Sequence, residues 1–102
     1  MAANILAISE IVSDPKIRGG RPVIAGTGLK VSDVVLTHTT GDKLSVEDIA
    51  SHYRLPLGQV HAALAYYYLH QEEIDREIQT NREEAERLVA ELEKQGKLKR
   101  LE

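Results

Sequence analysis

The 102-residue sequence has no cysteine, no phenylalanine and no tryptophan, and it has only three prolines. Without cysteine there is no disulfide framework, no thiolate zinc site and no cysteine nucleophile. That composition fits a reducing compartment. Without Phe or Trp, the core must be built from Ile, Leu, Val and Ala. Three of the four tyrosines stand together at Tyr66, Tyr67 and Tyr68. No apolar run approaches the ~18 residues that span a bilayer. The opening Met1-Ala-Ala-Asn-Ile-Leu-Ala lacks a basic stretch, so a secretory signal is not expected and the reading is cytoplasmic. The final Leu101-Glu102 is what a cloning scar would leave, and nothing is drawn from it.

What is present is charge, unevenly placed. The net charge is −3. Residues 1–70 hold six Lys/Arg, six Asp/Glu and all four histidines, whereas residues 71–102 hold seven Lys/Arg against ten Asp/Glu. The length supports one small domain with an appended arm. The expected division is therefore a balanced body over 1–70 and a charged amphipathic arm over 71–102. A bulk basic signal for nucleic acid is absent, so any DNA role must rest on local geometry.

Residues 8–31 read as short strands separated by turns. Ile8 to Val12 is the first candidate. Asp14-Pro15 and Gly19-Gly20 punctuate the chain. Val23-Ile24 and Leu29 to Val31 then flank Ala25-Gly26-Thr27-Gly28, which suggests a hairpin. Runs this short need a partner surface.

Residues 32–70 read as three helices. Ser32 is the expected cap of the first, which carries Val34, Val35 and Leu36 and stops at Gly41. Ser45 caps the second, with Asp48 three residues on as a short-armed capping box. Pro56 suits the first turn of the third, because proline lacks the N–H that would go unbonded there. Val60, Leu64 and Tyr67 share one face of that helix.

The segment from Val46 to Leu64 fits a helix-turn-helix. Ile49 and Tyr53 lie one turn apart, Ala50 is the small residue at the crossing, and Leu55 sits in the turn. Arg54 occupies the turn position that is often glycine. The fold class expected is mainly α: a trihelical helix-turn-helix body with a short N-terminal β-hairpin unit and a C-terminal helical arm.

If this unit reads DNA, the outward residues of the third helix are Gly58, Gln59, His61 and Ala62. Gln59 suits adenine, and His61 suits a base or phosphate. Pro56 to His70 holds no Lys or Arg. Phosphate contacts would fall to Lys43 and Arg54, helped by Lys16, Arg18, Arg21 and Lys30. The competing reading is a trihelical packing scaffold without DNA binding.

The arm, residues 71–96, is rich in helix formers and ends at Gly96. Ile74, Ile78, Asn81, Ala85, Leu88 and Leu92 follow a 4,3 heptad spacing with one polar member. Glu72/Arg76 and Glu83/Arg87 have the favourable acid-first order. The same spacing runs back through Gln71, Tyr67, Leu64 and Val60, so one continuous rod is an alternative to a bend near residues 69–71. The polar seam positions Gln71 and Asn81 favour the bend.

Other motifs carry less. Gly26-Thr27-Gly28 lacks the third glycine and the helix of a dinucleotide fingerprint, and Arg18-Gly-Gly-Arg-Pro is not followed by Gly-Lys-Ser/Thr; both read as turns. His38, His52, His61 and His70 form no ligand pattern, so no metal is expected. No nucleophile, base and orienting group can be named together, so neither an enzyme nor a cofactor is expected. Of the consecutive tyrosines, at least one is core and another an interface anchor. Tyr66 and Tyr68, with Val23 and Ile24, are the candidate contacts of a homodimer.

Several residues together carry a resemblance. They are Ile11-x-x-Asp14-Pro15-x-Ile17-x-Gly19-Gly20-Arg21-Pro22-Val23-Ile24-x-Gly26-Thr27, then Val31, Ser45-x-Glu47-Asp48-Ile49-Ala50, Val60-x-Ala62-Ala63-Leu64-Ala65-Tyr66-Tyr67 and Glu73-Ile74-Asp75. Over about residues 8–78 the chain resembles the bacterial and archaeal domain of unknown function 433 family. The resemblance implies a homeodomain-like trihelical fold. It also implies an antitoxin of a type II toxin–antitoxin pair, beside a PIN-like ribonuclease toxin. Two positions depart from the family pattern: Gly28 replaces a frequent basic residue, and Lys30 a frequent proline. The first removes a phosphate or partner contact from that loop.

In the antitoxin reading, Ile74, Ile78, Leu88 and Leu92 enter a groove on the toxin. Arg76, Arg82 or Arg87 approaches its acidic metal-binding carboxylates. The body dimerises and binds operator DNA. The alternative is a homodimeric structural or adaptor protein whose arm pairs with its own copy, Asn81 setting the register.

Overall fold

A computed structural model gives the fold and describes residue 3 and residues 9–96. Ile8, at the head of the expected first strand, and Leu101-Glu102 lie outside the described residues. Two strands, β1 (Ile11–Val12) and β2 (Val23–Ile24), are followed by α1 (Val31–Thr39), α2 (Val46–Tyr53), α3 (Leu57–Leu69) and α4 (Gln71–Lys94). Among the described residues no helix is long and apolar enough to cross a membrane. Contacts divide the chain into two units, Met1–Gln71 and Glu72–Glu102.

β1 and β2 pair antiparallel, Ile11 opposite Ile24 and Val12 opposite Val23. The Ala25 N–H extends the pairing to the Glu10 carbonyl at 2.8 Å. The hairpin expected between residues 23–24 and 29–31 is reduced to a single bridge, Val23 to Lys30. It is held by Ile24 N–H to the Leu29 carbonyl (2.9 Å) and Val31 N–H to the Pro22 carbonyl (3.0 Å). Thr27 shapes the intervening turn. Its hydroxyl donates to the Ile24 carbonyl and accepts from the Leu29 N–H. Strands of two residues are not stable alone; here α3 packs on both.

α1 starts two residues earlier than its sequence suggests. Its N-cap is Lys30, whose N–H donates to the Asp33 carboxylate at 3.2 Å. Ser32 therefore does not cap the helix. It lies inside the first turn, 1% exposed, and its hydroxyl has no hydrogen-bond partner among the described residues. The cause is non-local, because the bond from Val31 to Pro22 fixes where the helix begins.

α2 follows its local signals closely. Ser45 is the N-cap, and its hydroxyl accepts from the Asp48 N–H at 3.1 Å. At the other end Arg54 takes a left-handed conformation, φ 55 and ψ 48. The Leu55 N–H bonds the Ala50 carbonyl at 2.8 Å, and the Arg54 N–H bonds the Ser51 carbonyl at 3.3 Å. These two bonds define a Schellman stop. Pro56 then precedes α3 as its N-cap.

α3 is the centre of the body, touching α1, α2, β1 and β2. Val23, Ile24, Val31, Val34, Ile49, Val60 and Ala63 are fully buried, with Val35, Ala50 and Leu64 nearly so. The core is aliphatic throughout, as the missing Phe and Trp require. α3 ends at Leu69, and His70 leaves the helical region at φ −130, ψ 42. The interruption falls within residues 69–71, and the continuous rod is excluded. α4 ends at Lys94, and Gly96 supplies the positive φ that closes it.

Candidate interaction surfaces

The helix-turn-helix comprises α2, the turn Arg54-Leu55-Pro56 and α3. Ile49, Ala50, Val60 and Leu64 are buried, Tyr53 and Leu55 half-buried. The start of α3 presents Leu57 (43% exposed), Gly58 and His61 outward. Arg54 and Lys43 are exposed, each with positive φ. Lys16 and Arg18 are exposed, Arg21 and Lys30 half-buried.

Gln59 is placed differently from a free reading residue. It is half-buried, and its side-chain amide donates to the Glu10 carboxylate at 3.0 Å, across 49 positions of sequence. The bond ties α3 to the residue before β1.

The candidate dimer residues separate into two groups. Val23 and Ile24 are 0% exposed and belong to the body's own core, so they are not surface contacts. β2 is enclosed because it pairs with β1 on one side, bridges to Lys30 on the other and packs on α3. Tyr68 is 64% exposed. Tyr66 is half-buried and stacks on His70, the ring centroids 4.3 Å apart. Beside it an apolar groove of about 270 Å³ is lined by Ile11, Ala62, Ala65, Tyr66 and Leu69. Leu69 is 80% exposed.

On α4 the heptad positions divide as well. Ile74 is buried and so is not part of an exposed stripe. Ile78, Asn81 and Leu92 are half-buried, and Ala85 is exposed. Leu88 is 60% exposed, and Val89, which the strict heptad omits, is 41% exposed. Val89 lies one turn beyond Ala85 and widens the apolar stripe. Arg76, Arg82 and Arg87 are exposed. The expected Glu72/Arg76 and Glu83/Arg87 ion pairs do not form among the described residues; Glu83 instead accepts from the Gln79 amide at 3.0 Å. Long side chains on a solvated helix gain little from pairing.

No cluster of three or more metal-ligating side chains occurs among the described residues. The histidines have other surroundings. His38 Nδ1 meets the Leu44 carbonyl at 2.9 Å, His52 packs edge-on to Tyr53, and His70 stacks on Tyr66.

One site was missed by sequence reasoning. An open cleft of about 330 Å³ lies where the glycine-containing loop meets the helix-turn-helix, lined by Arg18, Gly28, Leu29, Asp33, Tyr53 and Leu55 with Thr27. Arg18 is left-handed (φ 50), and its Nε donates to the Gly28 carbonyl at 2.9 Å. The only advance signal was an arginine directly before Gly-Gly, which reads equally well as a turn.

The architecture defines a mainly helical, helix-turn-helix domain with a short antiparallel β unit, followed by a long helix. The family described as "Protein of unknown function (DUF433)" matches over residues 11–67, more than half of the chain, and the protein belongs to that family. No match was found among curated proteins or among solved structures.

Proposed function

We propose that the chain is the antitoxin of a type II toxin–antitoxin pair, binding a PIN-like ribonuclease toxin through its C-terminal arm and operator DNA through its helix-turn-helix. The observation that carries this reading is the outer part of α4. Leu88 and Val89 are exposed there, with Arg82 and Arg87 near them and without ion pairs among the described residues. An amphipathic helix with one apolar stripe is the usual form of a helix-in-groove ligand. Unpaired guanidinium groups beside the stripe suit a partner with acidic side chains, and a metal-dependent nuclease carries those in its active site. The resemblance to the family supplies the toxin class.

The DNA part rests on Arg54 in the turn, His61 in the first turns of α3 and Lys43 in the loop before α2, all three exposed. Gln59 contributes only by giving up its bond to Glu10. A second reading, a homodimeric adaptor without DNA binding, is favoured by Tyr68, Leu69 and the apolar groove beside Tyr66.

A tagged pull-down from the native host, with mass spectrometry of what is retained, separates the two. A small PIN-like nuclease that comes down with the full chain, and is lost when residues 72–102 are removed, supports the antitoxin reading. Recovery of the protein alone, under conditions where a tight complex survives, overturns it in favour of the dimer.

A further inference from the structure

The cleft between the glycine-containing loop and the helix-turn-helix has the chemistry of a small-molecule site. Its lining combines a cation, an anion, a phenol and two leucines. Arg18 is fixed twice. Its backbone is held in a left-handed turn, and its Nε is held by the Gly28 carbonyl. Among the described residues the bond to Gly28 is the only interaction of this side chain, which leaves both terminal nitrogens without a partner there. A guanidinium anchored at Nε presents its far edge to a carboxylate in one orientation. Residues held in sparsely populated backbone regions cluster at binding sites, where a compensating use offsets the strain.

Gly28 keeps this guanidinium uncovered. Its backbone is not left-handed, so its own conformation does not call for glycine. A Cβ there would already lie 3.5 Å from Arg18 Nε and 3.6 Å from Nη2, and a longer side chain would lie over the group. Tyr53 is half-buried, and its hydroxyl makes no hydrogen bond among the described residues. Asp33 engages one carboxylate oxygen with the Lys30 N–H, and the other has no partner among the described residues.

The mixture selects the ligand. A simple anion would meet Asp33, a simple cation would meet Arg18, and an apolar molecule would desolvate both without replacing their water. We propose that the cleft binds a small amino-carboxylate, an α-amino acid with an apolar side chain. Arg18 and Tyr53 take its carboxylate, Asp33 takes its ammonium group, and Leu29 and Leu55 receive the side chain. The volume matches the lower end of small-ligand pockets, ~300 Å³. This site is on the body and is independent of the arm and its partner.

The test is an amide-resolved NMR titration of the full chain with valine, leucine and phenylalanine, and with leucinamide and N-acetylleucine as blocked controls. Saturable shifts are expected at Thr27 to Leu29 and at Tyr53 to Leu55, with a dissociation constant of about 1 mM for the best amino acid. Each blocked form should bind at least about tenfold more weakly, since each loses a charge-assisted hydrogen bond. Tyr53→Phe should weaken binding about tenfold, and Gly28→Leu should abolish it. Both leave Arg18 and Asp33 in place, and thermal melts confirm that each variant is folded. The proposal is overturned if none of the three amino acids saturates, if blocked and free forms bind alike, or if folded Tyr53→Phe and Gly28→Leu proteins keep full affinity.

Discussion

Arg54 stands in the turn of the helix-turn-helix with a backbone conformation that suits glycine. A non-glycine residue there carries a steric penalty of ~1–2 kcal/mol, partly offset by glycine's greater entropy loss on folding. Arg54→Gly should therefore raise stability by about 0.5–1 kcal/mol, measured by denaturant unfolding. If DNA is bound, the same change should weaken all sequences alike, because it removes a phosphate contact and no base contact. Ser45→Ala should cost about 1 kcal/mol, the ordinary value of an N-cap. Ser32→Ala should be neutral or stabilising by up to about 1 kcal/mol, because it removes a buried hydroxyl with no partner among the described residues. The contrast between these serines shows what sequence can reveal at this scale. Ser45 was legible because its bond reaches only to Asp48. Ser32 was not, because α1 starts where a distant carbonyl, that of Pro22, fixes Val31. The bond from Gln59 to Glu10 was invisible for the same reason.

At the scale of elements, the body and α4 should respond to mutation in opposite ways. Ile49→Ala in the packed core should destabilise by about 2–4 kcal/mol. Leu88→Ser on α4 should change stability by less than about 0.5 kcal/mol, since the side chain is already 60% exposed. In the antitoxin reading, Leu88→Ser should nevertheless impair toxin capture, read as loss of retained nuclease in the pull-down. Cap and stop signals made α1 and α2 legible, apolar spacing made α3 and α4 legible, and the polar seam position at Gln71 pointed to the interruption at His70. The β unit was harder to read. A two-residue strand has no period, and the partner of β2 is chosen by packing on α3 rather than by the turn nearest in sequence. The cleft was illegible because its walls come from four separate segments: the turn at Arg18, the loop through Gly28 and Leu29, the first turn of α1 at Asp33, and the end of α2 with the turn after it.

For the whole molecule, the governing fact is the partition of charge. Residues 1–70 are balanced, and the excess of acid lies beyond them. Any DNA affinity must then come from a few cations, Lys43 before α2 and Arg54 after it foremost. With roughly two to four phosphate contacts per protomer, log affinity should fall with log salt at a slope of about −2 to −4. A much steeper slope, measured by titration at several salt concentrations, would point to a basic surface other than Lys43 and Arg54. The family match ends at residue 67, before α4 begins, so family membership describes the body and leaves the outer helix to be explained by its own chemistry.

The tyrosines have a practical consequence. A protein without tryptophan absorbs and emits in the near ultraviolet through tyrosine alone, and here the four chromophores are sorted by position. Tyr66, Tyr67 and Tyr68 sit together near the end of α3, while Tyr53 stands by itself on the wall of the cleft. Changing the three neighbours to phenylalanine leaves a single emitter. Its intensity then becomes an optical gauge of that one cleft, and no dye or label is needed to follow what enters it.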